Sequence, residues 1–275
     1  MAPDAVGILA AVSGFLADRG LNVVESHNFG DLESGKFFIR SVFDASDASE
    51  HLSEISEAFE PIADKFSMSW SIRARADLPK ALILVSKADH CLNDLLYRHR
   101  RGRLGAQIEG IVSNHEDARW HAESHDLPFF HVPVTPDTKP VAEVRLRQIK
   151  TALKADFVVL ARYMQVLSNE LAAEWSGQCI NIHHSFLPSF KGAQPYHQAH
   201  KRGVKLIGAT AHYVTADLDE GPIIAQEVEV IDHRATPQSM IALGRDTEAR
   251  VLARAVKAHA EGRIFLNGHK TVVFA

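Results

Sequence analysis

Hydrophobic and polar residues follow two different patterns in the two parts of the chain. In residues 66–72 an apolar residue alternates with a serine, which predicts a strand with one solvated face. Residues 80–86 form a continuous apolar run, typical of a strand buried in a parallel sheet, and residues 107–113 repeat this pattern. We interpret the short charged stretch at residues 73–79 as a linker between two domains.

The first part of the chain has a mixed order of helices and strands. The predicted elements are a helix that ends at Gly20, strands at 21–29 and 36–43, a helix at 48–63 and a strand at 66–72. This is the order of a ferredoxin-like α+β unit whose first strand is missing, because the chain starts at Met1 where that strand is expected. We predict such a domain over residues 1–76.

The second part alternates strands and helices regularly. Strands are predicted at 80–86, 107–113, 129–134 and 157–160, helices at 91–100, 117–125 and 141–153, and a long helix and a last strand at 236–261 and 271–274. This alternation predicts an α/β domain with an open, mainly parallel, Rossmann-like sheet. We assign it residues 79–275.

Composition excludes several classes of protein. The 275 residues are 46% hydrophobic and 23% charged, as in an ordinary globular protein. A net charge of -4 argues against nucleic-acid binding, which needs a basic face. Two cysteines make no disulfide framework, so we expect a cytoplasmic protein. The apolar run at 5–17 is too short to span a bilayer, and no membrane partner is expected.

Candidate catalytic residues lie where two β-prone runs end in polar loops. Asn181 and His183 are two positions apart and would project from one face of a strand. Asp219 follows the second run. An amide that stabilises an oxyanion, an imidazole that moves a proton and a carboxylate that orients the imidazole suit chemistry at a carbonyl carbon. Asp219 also has a simpler interpretation as a turn residue before Gly221.

These residues resemble a known family. The run Asn181-Ile182-His183, followed by Ser185, Leu187-Pro188 and Gly192, and then Leu218-Asp219-x-Gly221, is similar to the catalytic core of the folate-dependent formyltransferases. His184 makes the formyltetrahydrofolate deformylases the closer branch, because the transferases generally have proline there. The resemblance implies the formyltransferase fold, with an N-terminal ACT domain. It also implies hydrolysis of 10-formyltetrahydrofolate to formate and tetrahydrofolate, which supplies formate for purine synthesis and balances the one-carbon folate pool.

The resemblance also implies the roles of site residues. Asn181, His183 and Asp219 would be catalytic. The expected folate-binding residues are Met164, Gln165, Val166, Leu167, Ala216, Asp217 and Leu218. No metal or redox cofactor is expected, because the folate is the substrate. Gln194 stands where the family usually has lysine, so we assign no role to a charge at this position.

Other chemistries have weaker support. His183, His184 and His212, or the pair His121 and His125, lack the third ligand and carboxylate base of a recognisable zinc motif. Ser185 lacks the glycine elbow of a nucleophilic serine. Residues 87–90 lack the glycines of the phosphate-cradling loop of glycinamide ribonucleotide transformylase, which argues against a phosphorylated amine substrate. Two alternatives stay open, a formyltransferase to a small amine and a non-catalytic folate or amino-acid sensor.

The ACT resemblance carries expectations about partners. ACT-like units commonly pair and bind small amino acids at their interface, near a turn such as residues 28–31. We therefore expect a homo-oligomer with an amino-acid effector. Gly30 alone is equally explained as an ordinary hairpin residue.

Overall fold

The computed structural model describes residues 1–45, 51–187 and 195–275. The chain divides into two compact units. The first contains Met1–Asp77, Arg263–Asn267 and Val272–Ala275, and the second contains Leu78–Gly262 and Gly268–Thr271. The start of the predicted helix at 48–50 and the motif residues Pro188, Gly192 and Gln194 lie outside the described residues. The regulatory and catalytic roles that we assigned to two domains stay predictions.

The first unit is built on a three-stranded antiparallel sheet. Strands β1 (Ala2–Pro3), β2 (Asn22–Asp31) and β3 (Lys36–Asp44) lie in the order β1-β3-β2, and the helices are α1 (Ile8–Asp18) and α2 (Leu52–Lys65). Their apolar faces meet in a small core of Val12, Phe15, Leu16, Leu21 and Ile55. The helix–strand–strand–helix order agrees with the order in the sequence-based prediction.

Two details of this unit correct the prediction. The first strand is present, since Ala2 pairs with Phe37 of β3, but two residues are too few to produce a pattern in the sequence. Residues 66–72, all of them described, form no strand. Their burial alternates as predicted, and Met68 and Ile72 pack on the core. The backbone N–H groups of residues 66–68 bond back to the end of α2, however, and only Ser69 exchanges backbone hydrogen bonds with Met1, among the described residues. Burial periodicity alone therefore does not make a sheet ladder.

The second unit contains a seven-stranded sheet in the order β10-β9-β8-β7-β4-β5-β6. Its strands are β4 (Lys80–Val85), β5 (Gln107–Ser113), β6 (Phe129–His131), β7 (Phe157–Leu160), β8 (Cys179–His183), β9 (Leu206–Tyr213) and β10 (Ile223–Val230). Strands β4 to β8 pair in parallel, and β9 and β10 are antiparallel. The predicted open, mainly parallel sheet is confirmed.

Helices cover this sheet. They are α3 (His90–Arg100), α4 (Arg119–Glu123), α5 (Lys139–Ala152), α6 (Asn169–Glu174), α7 (Pro195–Arg202) and α8 (Pro237–Ala260). Residues 81–85 of β4 are fully buried, as the continuous apolar run predicted. A core that includes Leu82, Val158 and Trp175 fills the space between β4, β7 and the neighbouring helices. The long helix α8 starts at a capping box, in which Thr236 and Ser239 bond reciprocally.

The register between β8 and β9 places polar residues opposite each other. Asn181 pairs with His212, and His183 pairs with Thr210. Strands β4, β7 and β8 are neighbours and end at the same edge of the sheet, the edge at which α/β proteins bind ligands.

Two further observations complete the fold. A C-terminal hairpin joins β11 (Ile264–Asn267) and β12 (Lys270–Val273), of which only the second was predicted. Within the described ranges, none of the helices combines the length and apolar character that crossing a bilayer requires.

Candidate active site

The end of β8 and the loop after β9 bring together the three predicted catalytic side chains. Nδ1 of His183 lies 3.2 Å from Oδ2 of Asp219. Asn181, two residues before His183, lies on the same strand opposite His212, whose Nε2 is 3.8 Å from Oδ1 of Asp219. The amide, the imidazole and the carboxylate therefore form one group around the end of β8.

Asp219 combines a left-handed backbone conformation with a negative charge. Its φ of 58° is in the left-handed region, which aspartate tolerates better than most residues. Burial alone would raise the pKa of Asp219, but the hydrogen bond with His183 lowers it well below its ordinary value. The residue is thus a carboxylate throughout the physiological pH range, and a turn role and a charge role are compatible here.

His212 orients the Asn181 amide, a function that the sequence did not reveal. Nδ1 of His212 lies 2.8 Å from the backbone oxygen of Tyr213, which only accepts hydrogen bonds. The ring hydrogen is therefore on Nδ1, and Nε2 is the atom that accepts a hydrogen bond from Nδ2 of Asn181 at 3.2 Å, since an amide nitrogen only donates. From the sequence alone His212 is a candidate only as a metal ligand, because its pairing with Asn181 depends on the register between β8 and β9.

The second ring nitrogen of His183 is available for chemistry. The His183 side chain is 9% exposed, and Nε2 is buried without a hydrogen-bond partner among the described residues. Since Nδ1 faces Asp219, Nε2 is the atom that would meet a reacting group. The hydroxyl oxygen of Ser185 is also buried without such a partner, and no described base activates it as a nucleophile.

Thr210 fixes the turn that follows His183. Its hydroxyl donates to the backbone oxygen of Ser185 at 3.0 Å and accepts from the N–H of Leu187 at 3.1 Å. Nε2 of Gln226 donates to the same hydroxyl oxygen at 3.0 Å. Because these groups are buried, the bonds hold the turn in one conformation relative to β9 and β10.

His184 stacks on the ring of His183. The centroids of His183 and His184 are 4.9 Å apart, with 29° between the ring planes. Burial, together with the positive charges of Arg162 and His183, lowers the pKa of His184 to about 4. The second histidine is therefore neutral near pH 7.

The predicted folate-binding residues lie in two loops of different exposure. Met164 and Val166 are 58% and 56% exposed, and Leu218 is 60% exposed, so these apolar side chains are open to a ligand. Ala216 and Asp217 are also exposed, and Gln165 is half-buried beside a small cavity. Leu167 is buried in the core of the second unit, where it packs against protein. Folate contact at these positions stays a prediction.

One group of possible metal ligands was not foreseen. Ligand atoms of His90, Cys91 and Glu248 lie within 4.8 Å of one another. Burial raises the pKa of the Cys91 thiol well above its ordinary value, whereas zinc binds the thiolate. Arg162 Nε lies 3.3 Å from Glu248 Oε2 and already supplies a positive charge there. These features favour an ion-pair network over a bound cation.

Comparison with known proteins places the chain in a family. A model described as formyl transferase matches residues 79–256. Formyltetrahydrofolate deformylase of Corynebacterium sp. (strain P-1) is 50% identical over 271 residues, which are 98% of this chain and 95% of the relative. The chain belongs to the formyltetrahydrofolate deformylase family. This confirms the resemblance that the motif around His183 and His184 indicated.

Solved structures of deformylases extend the agreement to the fold. The deformylase of Burkholderia mallei is 54% identical and superposes with a TM-score of 0.95, covering 100% of this chain and 97% of that one. The deformylase of Pseudomonas syringae pv. tomato is 48% identical, with a TM-score of 0.97 and coverages of 100% and 92%. Both units of the chain are therefore shared with deformylases.

Proposed function

We propose that the protein hydrolyses 10-formyltetrahydrofolate to formate and tetrahydrofolate. The observation that carries the proposal is the group formed by Asn181, His183 and Asp219 at the end of β8, in a chain that is similar to deformylases over nearly its whole length. The family relationship gives the substrate, and the geometry gives the groups that attack on a formyl carbon requires.

Each of the three residues has a defined part in the reaction. A water molecule attacks the formyl carbon, and the oxyanion that forms accepts hydrogen bonds from Asn181 Nδ2 and from Nε2 of protonated His183. Asp219 holds the other ring nitrogen of His183, Nδ1, and helps to take the proton that water loses. The carbon–nitrogen bond then breaks, the folate nitrogen takes up the proton that water lost, and formate and tetrahydrofolate leave. This route uses protein groups alone, so we propose no metal or redox cofactor.

The experiment is a turnover assay with 10-formyltetrahydrofolate and no amine acceptor. We expect one formate per tetrahydrofolate formed. Asn181→Ala should lose about a hundredfold or more in kcat, the usual effect of removing an oxyanion donor. A parent enzyme that binds the folate but releases no formate would contradict the hydrolase assignment and favour the sensor alternative.

The proposal also covers the cellular location, the use of the formate and the role of the first unit. We propose that the enzyme acts in the cytoplasm and that its formate supplies purine synthesis. We also propose that the first unit is an ACT-like module that pairs in a homo-oligomer and binds a small amino acid near residues 28–31. Its antiparallel sheet with two helices supports this proposal. Light scattering and equilibrium dialysis with individual amino acids test it, and a monomer without affinity for any of them contradicts it.

A further inference from the structure

A buried charged group lies beside the stacked histidines. We call it the Glu248 cluster: Glu248, His90, Arg162 and Tyr196. Glu248 is 1% exposed, and its carboxylate lies 2.7 Å from Nε2 of His90, 3.0 Å from the Tyr196 hydroxyl, which donates to it, and 3.3 Å from Nε of Arg162. Burial alone would raise the pKa of Glu248, but these partners lower it below its ordinary value. The cluster is therefore a charged network inside the protein.

The cluster occupies the ligand-binding edge of the sheet. His90 begins the helix after β4, Arg162 follows β7 by two residues, and His184 follows β8 directly. These three strands are neighbours in the sheet, so their carboxyl ends meet. In open α/β sheets a substrate usually lies in the crevice outside these ends. Here the protein's own side chains fill part of that crevice.

The cluster also reaches the catalytic ring. The Tyr196 ring lies 6.4 Å from His184, and His184 stacks at 4.9 Å on His183. A continuous series of side chains thus extends from Glu248 to the catalytic histidine. Glu248 holds the Tyr196 hydroxyl at this end of the series, whereas the loop residues Met164 and Leu218 are exposed.

Two backbone features that are unfavourable for stability occur at the cluster, which indicates that its arrangement serves function. Gly244 lies in the middle of α8, where glycine is less favourable than alanine by about 1 kcal/mol. A Cβ at Gly244 would lie 2.0 Å from the Tyr196 hydroxyl, so glycine is needed for Tyr196 to reach Glu248, one helical turn further on. Arg162 adopts a φ of 64°, a conformation that is unfavourable for arginine.

We propose that the Glu248 cluster makes the enzyme specific for water, because Tyr196 and its partners occupy the space through which a small amine would approach the formyl carbon. The inference rests on the proposed hydrolysis, and it names the side chains that prevent formyl transfer to an amine. Water carries no substituent, whereas a primary amine carries one that would meet these side chains. Attack by an amine would form a formamide and release tetrahydrofolate without formate.

The two reactions are separated by their products. Parent and variants are incubated with 10-formyltetrahydrofolate and hydroxylamine or glycinamide, and tetrahydrofolate, formate and formylated amine are measured against a blank without enzyme. The parent should give nearly equal amounts of formate and tetrahydrofolate even with amine present, with only a trace of formylated amine. In Tyr196→Ala the ratio of transfer to hydrolysis should rise about tenfold or more, the effect that changes in pocket size usually have. Tyr196→Phe keeps the ring and should keep the parent ratio.

The outcomes distinguish this proposal from the proposed function. A parent that forms no formate contradicts the hydrolase assignment alone. A folded Tyr196→Ala variant that keeps equal formate and tetrahydrofolate overturns the role of the cluster. So does a folded but inactive variant, since it would make Tyr196 part of hydrolysis. If Tyr196→Ala does not fold, Gly244→Ala replaces it, because the added methyl displaces the Tyr196 hydroxyl; an unchanged product ratio in that variant also overturns the proposal.

Discussion

The imidazole of His212 and the amide of Asn181 form a hydrogen bond of 3.2 Å in which the ring nitrogen is the acceptor. Its direction is set by the backbone oxygen of Tyr213, which takes the hydrogen of Nδ1 at 2.8 Å. The amide nitrogen of Asn181 is therefore fixed, and its second hydrogen is the one that would bond the oxyanion in the proposed mechanism. Preorganised donors of this kind stabilise an oxyanion because they need no reorientation during the reaction.

This relationship predicts a positioning role for His212. In His212→Ala the Asn181 amide is free to rotate, and we expect kcat to fall by about tenfold or more with little change in KM for the folate. In His212→Gln a side-chain oxygen replaces the acceptor, and part of the loss should be recovered. Steady-state kinetics on both variants, with melting temperature as a folding control, check this. Equal activity in the parent and the alanine variant would show that Asn181 is oriented by other groups.

Asp219→Asn separates charge from backbone conformation. Asparagine also tolerates the φ of 58°, so the turn and the melting temperature should be preserved. The negative charge beside His183 is lost, and formate release should fall about a hundredfold or more. Asp219→Ala is the matched comparison, because it should lose the same activity and also about 1 kcal/mol of stability from backbone strain. Turnover of the asparagine variant within a few-fold of the parent would make Asp219 a turn residue only.

Gly221 of the Leu218-Asp219-x-Gly221 motif cannot carry a larger side chain for a steric reason. A Cβ there would lie 1.8 Å from the backbone oxygen of Tyr213, the atom that orients His212. Gly221→Ala should therefore lower both kcat and the free energy of unfolding, the latter by about 1–3 kcal/mol. Gly14→Ala in α1 is the control, since its Cβ would meet no atom within 4 Å and should stabilise the helix slightly. Native activity in Gly221→Ala would contradict the link between this glycine and Asn181.

The pattern of hydrophobic residues in the sequence predicted the architecture because, in most of the chain, the apolar positions are the ones that the fold buries. The apolar runs of β4 and β7 are buried, and the strands and helices predicted for the second unit are observed in their order, together with α6, α7 and β10, which were not predicted. Where they disagree, the prediction was wrong. Ala2–Pro3 forms a strand that is too short for any pattern. Residues 66–72 alternate in burial, but the single pair of backbone hydrogen bonds between Ser69 and Met1 does not extend into a ladder.

The site was predictable only as far as it is local in sequence. Asn181 and His183 share a strand, so their common face follows from the two-residue period. The role of His212 depends on the register between β8 and β9, and Glu248 on a helix of 24 residues resembles an ordinary solvent-exposed charge. Its burial results from contacts with His90, Arg162 and Tyr196, which are distant in the chain. Such relationships require the tertiary structure.

His184 predicts a dependence of stability on pH. Its pKa falls from an ordinary 6.5 to about 4 in the folded protein, because of burial and the positive charges of Arg162 and His183. Between these two values the unfolded chain binds a proton at this ring and the folded protein does not. Stability from His184 is therefore present at neutral pH and is lost as pH falls from about 6.5 towards 4. Over the range from pH 7 to pH 5 this loss amounts to at most about 2 kcal/mol.

The variant His184→Asn removes this titration. We expect its free energy of unfolding, measured by urea denaturation, to change less between pH 7 and pH 5 than that of the parent. His233→Asn, at an exposed position, is the control and should follow the parent curve. The two variants lose the same ionisable group, so a difference between them reports the environment of His184 rather than the number of histidines. If both variants and the parent lose the same free energy over this range, the ring of His184 is hydrated in the folded protein, and its stacking on His183 does not hold it in the neutral form.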